Sequence, residues 1–316
     1  MLFKKLWGKD MRTIYKALQG NTLLALCVVA LIMSFNDALA EDASPAEIVA
    51  VAPAEVAEPA PPYTLTYNLG IYSAYQYRGN NLSDGPALQG GIDWTHSSGF
   101  YLGTWFSTID PLYSGESDAL GTKGNHVEND FYAGYFHTFD NGFGVNFLGN
   151  YYKYWEGRKA NNVLPSGDIR NHRQDSFEVS AAFSYKWFTY TYYRTLTDYF
   201  GADETDKNFN VTGNRNTDGA DYHELKVNYK LPIADLNFMT KVGYVRTPNL
   251  QGNQGDFAIG LNRDFSMPTG GKALEGFNAG AVYTSTFSVK NEDFYMTTDL
   301  RDVNEDYMWF YIKRTW

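Results

Sequence analysis

The 316-residue chain holds a single cysteine, Cys27, and five histidines scattered along it. One thiol builds no disulfide framework, and no Cys/His cluster has the spacing of a structural zinc site. Basic charge is also scarce: 26 Lys+Arg stand against 36 Asp+Glu, and no basic stripe stands out. That balance excludes a cationic nucleic-acid binder. Long apolar runs are missing too, and a mean hydropathy of −0.40 excludes a polytopic helical membrane protein. Disorder does not fit a 17% aromatic content. What is present is a folded, β-prone, aromatic-heavy chain.

Residues 1–40 read as an export signal. Lys4, Lys5, Lys9, Arg12 and Lys16 charge its start, and an apolar core runs from Leu23 to Met33. Ala38-Leu39-Ala40 then supplies small residues at −3 and −1 before Glu41. The core is too short for a bilayer span of ~20 residues. An uncleaved anchor is the alternative reading. Leu24-Ala25-Leu26-Cys27 loosely resembles a lipobox, but Leu26 is bulky where a small residue is wanted. Residues 41–62, rich in Ala, Pro and Glu, cannot bury a core and read as an extended periplasmic tether.

From Tyr63 onward the period is two. Tyr63, Leu65, Tyr67, Leu69 and Ile71 alternate with polar or small residues, as do Phe177 to Trp187 and Leu225 to Leu231. Such segments present one apolar and one polar face. A soluble sandwich would alternate too, but its strands cluster near ~5–6 residues. Here the runs extend for about 9–12, the length of a tilted bilayer-crossing strand. Twelve strands are expected, near 63–78, 87–96, 100–109, 128–139, 143–156, 176–187, 188–197, 220–231, 236–246, 256–265, 276–287 and 305–316. Their connections alternate between short turns (97–99, 140–142, the break at Trp187-Phe188, 232–235) and longer polar loops (79–86, 110–127, 157–175, 198–219, 247–255, 288–304). The turn at 266–275 is the exception. Short turns on one rim and long loops on the other define an antiparallel up-and-down transmembrane β-barrel over 63–316, with periplasmic turns and outer loops.

Aromatics gather at segment ends, as girdles at the headgroup level would. Tyr75, Tyr77, Trp94, Tyr154, Trp155, Trp187, Phe188 and Trp316 are the expected girdle residues. Closure follows from backbone accounting, because hydrocarbon offers no partner to an unpaired edge. The last strand carries Met308, Phe310 and Ile312 on one face and ends in Trp316, which resembles a signal read by the barrel-assembly machinery. Arg314 departs from the usual apolar third-from-last position.

The polar faces then line the lumen. They hold Arg78, Gln89, Asp93, Asn146, Asn150, Glu178, Lys186, Glu224, Lys226, Lys230, Asp256 and Asn262. Mixed charge there fits either a weakly selective pore or a salt-bridged plug. Twelve strands lie between the filled eight-stranded barrel and the wide channel of 16–18 strands, so a narrow passage is expected. Loop 198–219 or 157–175 is expected to fold inward and narrow it.

Residues 72–79 (Tyr72-Ser-Ala-Tyr75-Gln-Tyr77-Arg78-Gly79), 83–91 and 98–105 together resemble the TorF family of porins, exported proteobacterial barrel proteins of poorly defined substrate. The resemblance implies an outer-membrane location in a Gram-negative bacterium and a channel role. It brings no catalytic residues.

Catalytic motifs are absent or broken. Gly270-Gly271-Lys272-Ala273 lacks the upstream Gly and the Ser/Thr of a phosphate loop, and His223-Glu224 is followed by Val227 where a zincin has its second His. No G-x-S-x-G occurs. The loop acids Asp198, Asp203, Glu204, Asp206 and Asp218 lack the spacing of a calcium loop. His223 beside Asp221 is the nearest approach to a barrel-hydrolase site. The sequence thus leads to the expectation of a passive channel for ions or small polar solutes, without cofactor, metal or catalytic residue. Its expected partners are outer-membrane lipid and lipopolysaccharide. A non-conducting barrel whose outer loops bind a partner is the alternative.

Overall fold

The computed structural model describes residues 61–111, 124–155, 173–208, 210–265, 274–290, 295 and 301–316. The export signal and all but the last two residues of the Ala/Pro/Glu segment lie outside them. So do 112–123, 156–172 and 266–273.

Twelve long strands form one closed barrel: β1 (Tyr63–Tyr72), β4 (Ala87–His96), β5 (Phe100–Thr108), β6 (Val127–Thr138), β7 (Phe143–Tyr154), β8 (Ser176–Tyr185), β9 (Phe188–Thr195), β10 (Asp221–Lys230), β11 (Leu236–Arg246), β12 (Gln254–Asp264), β13 (Phe277–Phe287) and β14 (Tyr307–Thr315). Two short strands, β2 (Gln76–Tyr77) and β3 (Asn80–Asn81), pair only with each other. Each long strand pairs antiparallel with the next, and β1 closes on β14 over Asn68–Tyr72. Beyond those pairs, Tyr67 and Trp316 exchange backbone hydrogen bonds of 3.1 and 2.9 Å, so the chain end completes the seam.

The architecture is the expected one, and the alternation has the expected sense. On β1, Tyr63, Leu65, Tyr67, Leu69 and Ile71 are 44–50% exposed. On β10, Leu225 is 45% exposed while Glu224 next to it is 6% exposed. A large apolar side chain gains ~1.5–3 kcal/mol on leaving water. A belt of them round the whole wall far exceeds the apolar patches that soluble monomers carry. This exterior suits hydrocarbon. Carboxylates, amides and tyrosines face the other way.

Glycines in the wall let tyrosine rings lie along it. Asp93 on β4, Gly103 on β5 and Tyr132 on β6 are successive register partners. A Cβ at Gly103 would sit 2.6 Å from the Tyr132 ring. The ring crosses that gap and its hydroxyl donates to Asp93. Tyr222 crosses Gly243 in the same way and donates to Asp256 at 2.9 Å. The barrel thus acquires a hydrogen-bonded inner lining across strands, a use of glycine that designed sheets also need.

The principal departure concerns the first expected strand, 63–78. It stops at Tyr72, and the remainder turns into the bore.

Candidate functional site: the occupied bore

Residues 73–86 connect β1 to β4 at the long-loop rim, and their β2–β3 hairpin lies inside the barrel. Arg78 and Gly79 form its two-residue tip, with φ of 49° and 86°. Positive φ at both central positions is the turn whose twist matches a tight hairpin, and the second position is the one that glycine fills most readily. A side chain at Gly79 would also collide with Asp256 Cβ and Thr286 Cγ2, each 2.7 Å from the Cβ position. The tip therefore rests directly on the β12–β13 wall.

From there Arg78 reaches toward β8. Its guanidinium donates to both Glu178 oxygens at 2.8 Å, and both side chains are buried. The cation lies 4.4 to 5.1 Å from the ring centroids of Tyr222, Tyr77 and Tyr193. Such an aromatic cage adds to the ion pair. Burial works against the Arg78 charge, but the Glu178 carboxylate outweighs it and holds the guanidinium protonated well above its ordinary range. Gln254 donates to the Arg78 carbonyl at 2.9 Å and to Asn80 Oδ1 at 3.0 Å. Tyr75 donates to Glu128 on β6 at 2.9 Å. Burial pushes the Tyr75 and Tyr77 phenols up, so both remain neutral donors. One hairpin is thereby tied to β6, β8 and β12.

A second inward segment wedges beside it. The 3-10 turn η1 (Tyr199–Gly201) holds Phe200 at φ 47°, a left-handed conformation that costs a non-glycine residue about 1–3 kcal/mol. In return the Phe200 ring meets Tyr152, Tyr77 and Tyr154 at centroid distances of 5.2, 5.8 and 6.3 Å. Inward folding expected of loop 198–219 is found at its start. The hairpin at 76–81, which was not anticipated, is the larger obstruction. Loop 157–175 lies almost wholly outside the described residues.

Wall charges pair among themselves. Lys241 Nζ is 2.9 Å from Asp256, 3.4 Å from Glu224 and 3.2 Å from the Tyr222 hydroxyl. Lys226 reaches Glu224 at 3.0 Å. Tyr154 donates to Glu128 at 2.5 Å, Tyr152 to Glu178 at 3.1 Å, and Asn150 to Asp130 at 3.2 Å. Around the hairpin, three cations (Arg78, Lys226, Lys241) face five carboxylates (Glu128, Asp130, Glu178, Glu224, Asp256). The bore has a formal negative excess.

Of the remaining expected lumen residues, Gln89 is buried inward on β4 and Asp93 accepts from Tyr132. Asn146 accepts from Tyr101 at 2.8 Å, and Asn262 accepts from Asn237 and Asn278 at 3.1 and 3.2 Å. Lys230 sits near the short-turn rim, 3.8 Å from Asp235. Two residues are not on strand faces. Lys186 occupies the two-residue turn between β8 and β9 at φ 53°, its amine over the Tyr185 ring. Arg78 belongs to the hairpin.

The expected girdle also needs correction. Trp94 stacks on Tyr63 and Trp187 packs edge-on against Tyr229, both on the outer wall. Trp155, Phe188 and Trp316 are exposed. Tyr75, Tyr77 and Tyr154, in contrast, point into the bore: Tyr75 and Tyr77 ride on the inward segment, and Tyr154 faces Glu128. Glu128, Asp130, Tyr152, Tyr222 and Lys241 were not anticipated in the sequence reading. The available signal was length. A strand over 63–78 is longer than the ~9–11 residues a bilayer crossing uses, and Arg78-Gly79 between aromatic and amide residues fits a hairpin tip.

His223 points outward, with Nδ1 2.7 Å from the Tyr190 hydroxyl and Nε2 3.6 Å from Asp221. Among the described residues, no group of three or more His, Cys, Asp or Glu side chains is placed to hold a metal ion.

A closed antiparallel wall, apolar outside and polar within, with short turns at one rim and long loops at the other, is a barrel of the porin type. The chain belongs to the Gcw_chp family, described as bacterial protein of unknown function, whose model matches residues 56–316. That is the family shown; the likeness to TorF porins remains a resemblance. No curated protein matches the sequence. Among solved structures, the chain is similar to a KdgM porin in complex with disordered oligogalacturonate, at 5% identity over 80% of this chain and 97% of that one, with a TM-score of 0.42. It is similar to a second KdgM porin structure at 7% identity, over 79% and 98%, also with a TM-score of 0.42. With the outer membrane protein OprD from Pseudomonas aeruginosa the identity is 12%, over 80% and 64%, with a TM-score of 0.33. At these scores, what those porins bind or pass is said of them alone.

Proposed function

We propose that the chain is an outer-membrane porin of a Gram-negative bacterium, a passive channel for ions and small polar solutes. The observation that carries this reading is the sorting of side chains: hydrocarbon-compatible residues cover the exterior and paired charges, amides and hydroxyls line the interior. Passage needs no cofactor and no covalent step. The long-loop rim faces outward, and residues 41–62 tether the barrel on the periplasmic side. The hairpin at 76–81 and Phe200 narrow the outer half of the bore, so the conductance is small. The formal negative excess around the hairpin favours cations over anions.

A second reading has a specific observation behind it. The hairpin is fastened to three strands, which suits a barrel that stays closed and serves as a scaffold for its outer loops. Planar-bilayer recording separates the two. Discrete conductance steps from the purified full chain support the channel. Silence from both the wild type and a variant with Gln76–Asn81 replaced by a short Gly-Ser link, with insertion verified, supports the closed scaffold.

A further inference from the structure

Of the five carboxylates around the hairpin, three have a cation: Glu178 has Arg78, and Glu224 and Asp256 have Lys241. Glu128 and Asp130 have none among the described residues. They stand two residues apart on the inner face of β6, about 7 Å along the strand. Both are buried, at 1% and 8% exposure, and their carboxyl groups are in hydrogen-bonding contact with each other. Burying a carboxylate without a cation is costly, and two that touch cannot both stay ionised.

The donors around the pair are neutral and one too few. Tyr75 and Tyr154 donate to the two Glu128 oxygens at 2.9 and 2.5 Å, and Asn150 donates to Asp130 Oδ2 at 3.2 Å. Asp130 Oδ1 is buried and has no donor. The titratable groups that face the pair bring no positive charge: Tyr75 on the inward segment, Tyr132 on β6 itself, Tyr152 and Tyr154 on β7, and Glu178 on β8. From β5 the register partners are Trp105 and Ser107, neither of them charged. Arg78 is held by both Glu178 oxygens.

We infer that Glu128 and Asp130 hold one proton between them, a proton-binding site in the wall of the bore that carries a single negative charge. One carboxyl donates its O–H to the other carboxylate, so a charge-assisted hydrogen bond replaces like-charge repulsion. Raising the pH releases that proton to solvent, and the pair then carries two negative charges. Tyr75 ties Glu128 to the segment that bears the hairpin, so the second charge arises beside the constriction and adds to its pull on cations. That electrical consequence rests on the channel reading; the proton itself does not, and the experiment separates the two.

The full chain, refolded in detergent, is followed by infrared spectroscopy from about pH 6, where ordinary carboxyl groups are ionised, to about pH 10. The wild type should show the carbonyl band of a buried carboxylic acid at the lower pH, shifted in deuterated water, and should lose it at the higher one. E128Q/D130N, with folding confirmed by heat-modifiable migration, should lack the band throughout. In planar bilayers across a salt gradient, the wild-type preference for cations should rise over the same range, and that of E128Q/D130N should stay constant. Absence of the band from the wild type at the lower pH overturns the shared proton, and this result needs no variant to fold. A carboxylate spectrum that changes when sodium is exchanged for potassium or calcium overturns it too, by assigning a bound cation to the pair. Persistence of the band in E128Q/D130N places the acid elsewhere and overturns the site. A wild type that shows the band but passes no current would instead overturn the channel reading.

Discussion

Arg78 and Glu178 are a hundred positions apart in sequence, yet two hydrogen bonds of 2.8 Å join them inside the barrel. Neither side chain has solvent to fall back on. Breaking a buried pair by removing one partner typically costs 3–5 kcal/mol, because the survivor stays buried and charged. On the proposed channel reading, the hairpin that carries Arg78 should then leave the bore.

Removing the cation should therefore open the channel more than it unfolds the barrel. R78A is expected to raise single-channel conductance severalfold and to lower unfolding free energy in urea by about 3 kcal/mol. Unchanged conductance in a folded R78A barrel would show that the hairpin is not the constriction.

Gly79 tests the same device through its backbone. G79V places a β-branched side chain at φ 86° and drives its Cβ toward Asp256 and Thr286. A cost of about 1–3 kcal/mol from the backbone is expected, with the collision added. Conductance should rise to the R78A level, and combining the two should add little, since each releases the same segment.

Phe200 is the second wedge. F200A removes a buried ring at a cost of about 3 kcal/mol, while F200G also relieves the left-handed backbone and should cost less. Both should widen the channel modestly. The order of stabilities, read by urea titration in micelles, is the check: F200G at or above F200A.

On the proposed channel reading, the carboxylates of the bore should set ion preference. In a salt gradient the reversal potential should report cations as favoured. K241Q, which frees Asp256 and Glu224, should move it further toward cations. A wild-type preference for anions would contradict the proposed pathway.

How much of this was visible in the sequence depends on which force fixed each part. The wall was legible because lipid on one side and water on the other impose a period of two. Strands such as Ala87–His96 and Leu236–Arg246 fall where alternation and turn residues put them. The hairpin was not legible in that way. Tyr75 and Tyr77 continue the alternation of β1, and nothing local says that the chain has left the wall. What takes it inward is Glu178, Glu128 and Gln254, all distant in sequence. The same holds for Tyr154, whose partner Glu128 lies on the neighbouring strand. Residues 72–79, part of the stretch that carried the TorF resemblance, include the hairpin tip.

The inside-out arrangement is most directly tested by cysteine scanning along β10. The chain's lone cysteine is Cys27, so in a C27A background single cysteines on the barrel report alone. Substitutions from Leu225 to Lys230 in proteoliposomes are treated with a small, charged thiol reagent. Labelling should alternate, with Lys226, Asn228 and Lys230 reactive and Leu225, Val227 and Tyr229 protected. Uniform labelling, or reactive sites at Leu225, Val227 and Tyr229 with Lys226 and Asn228 protected, would contradict a barrel with lipid outside and water within.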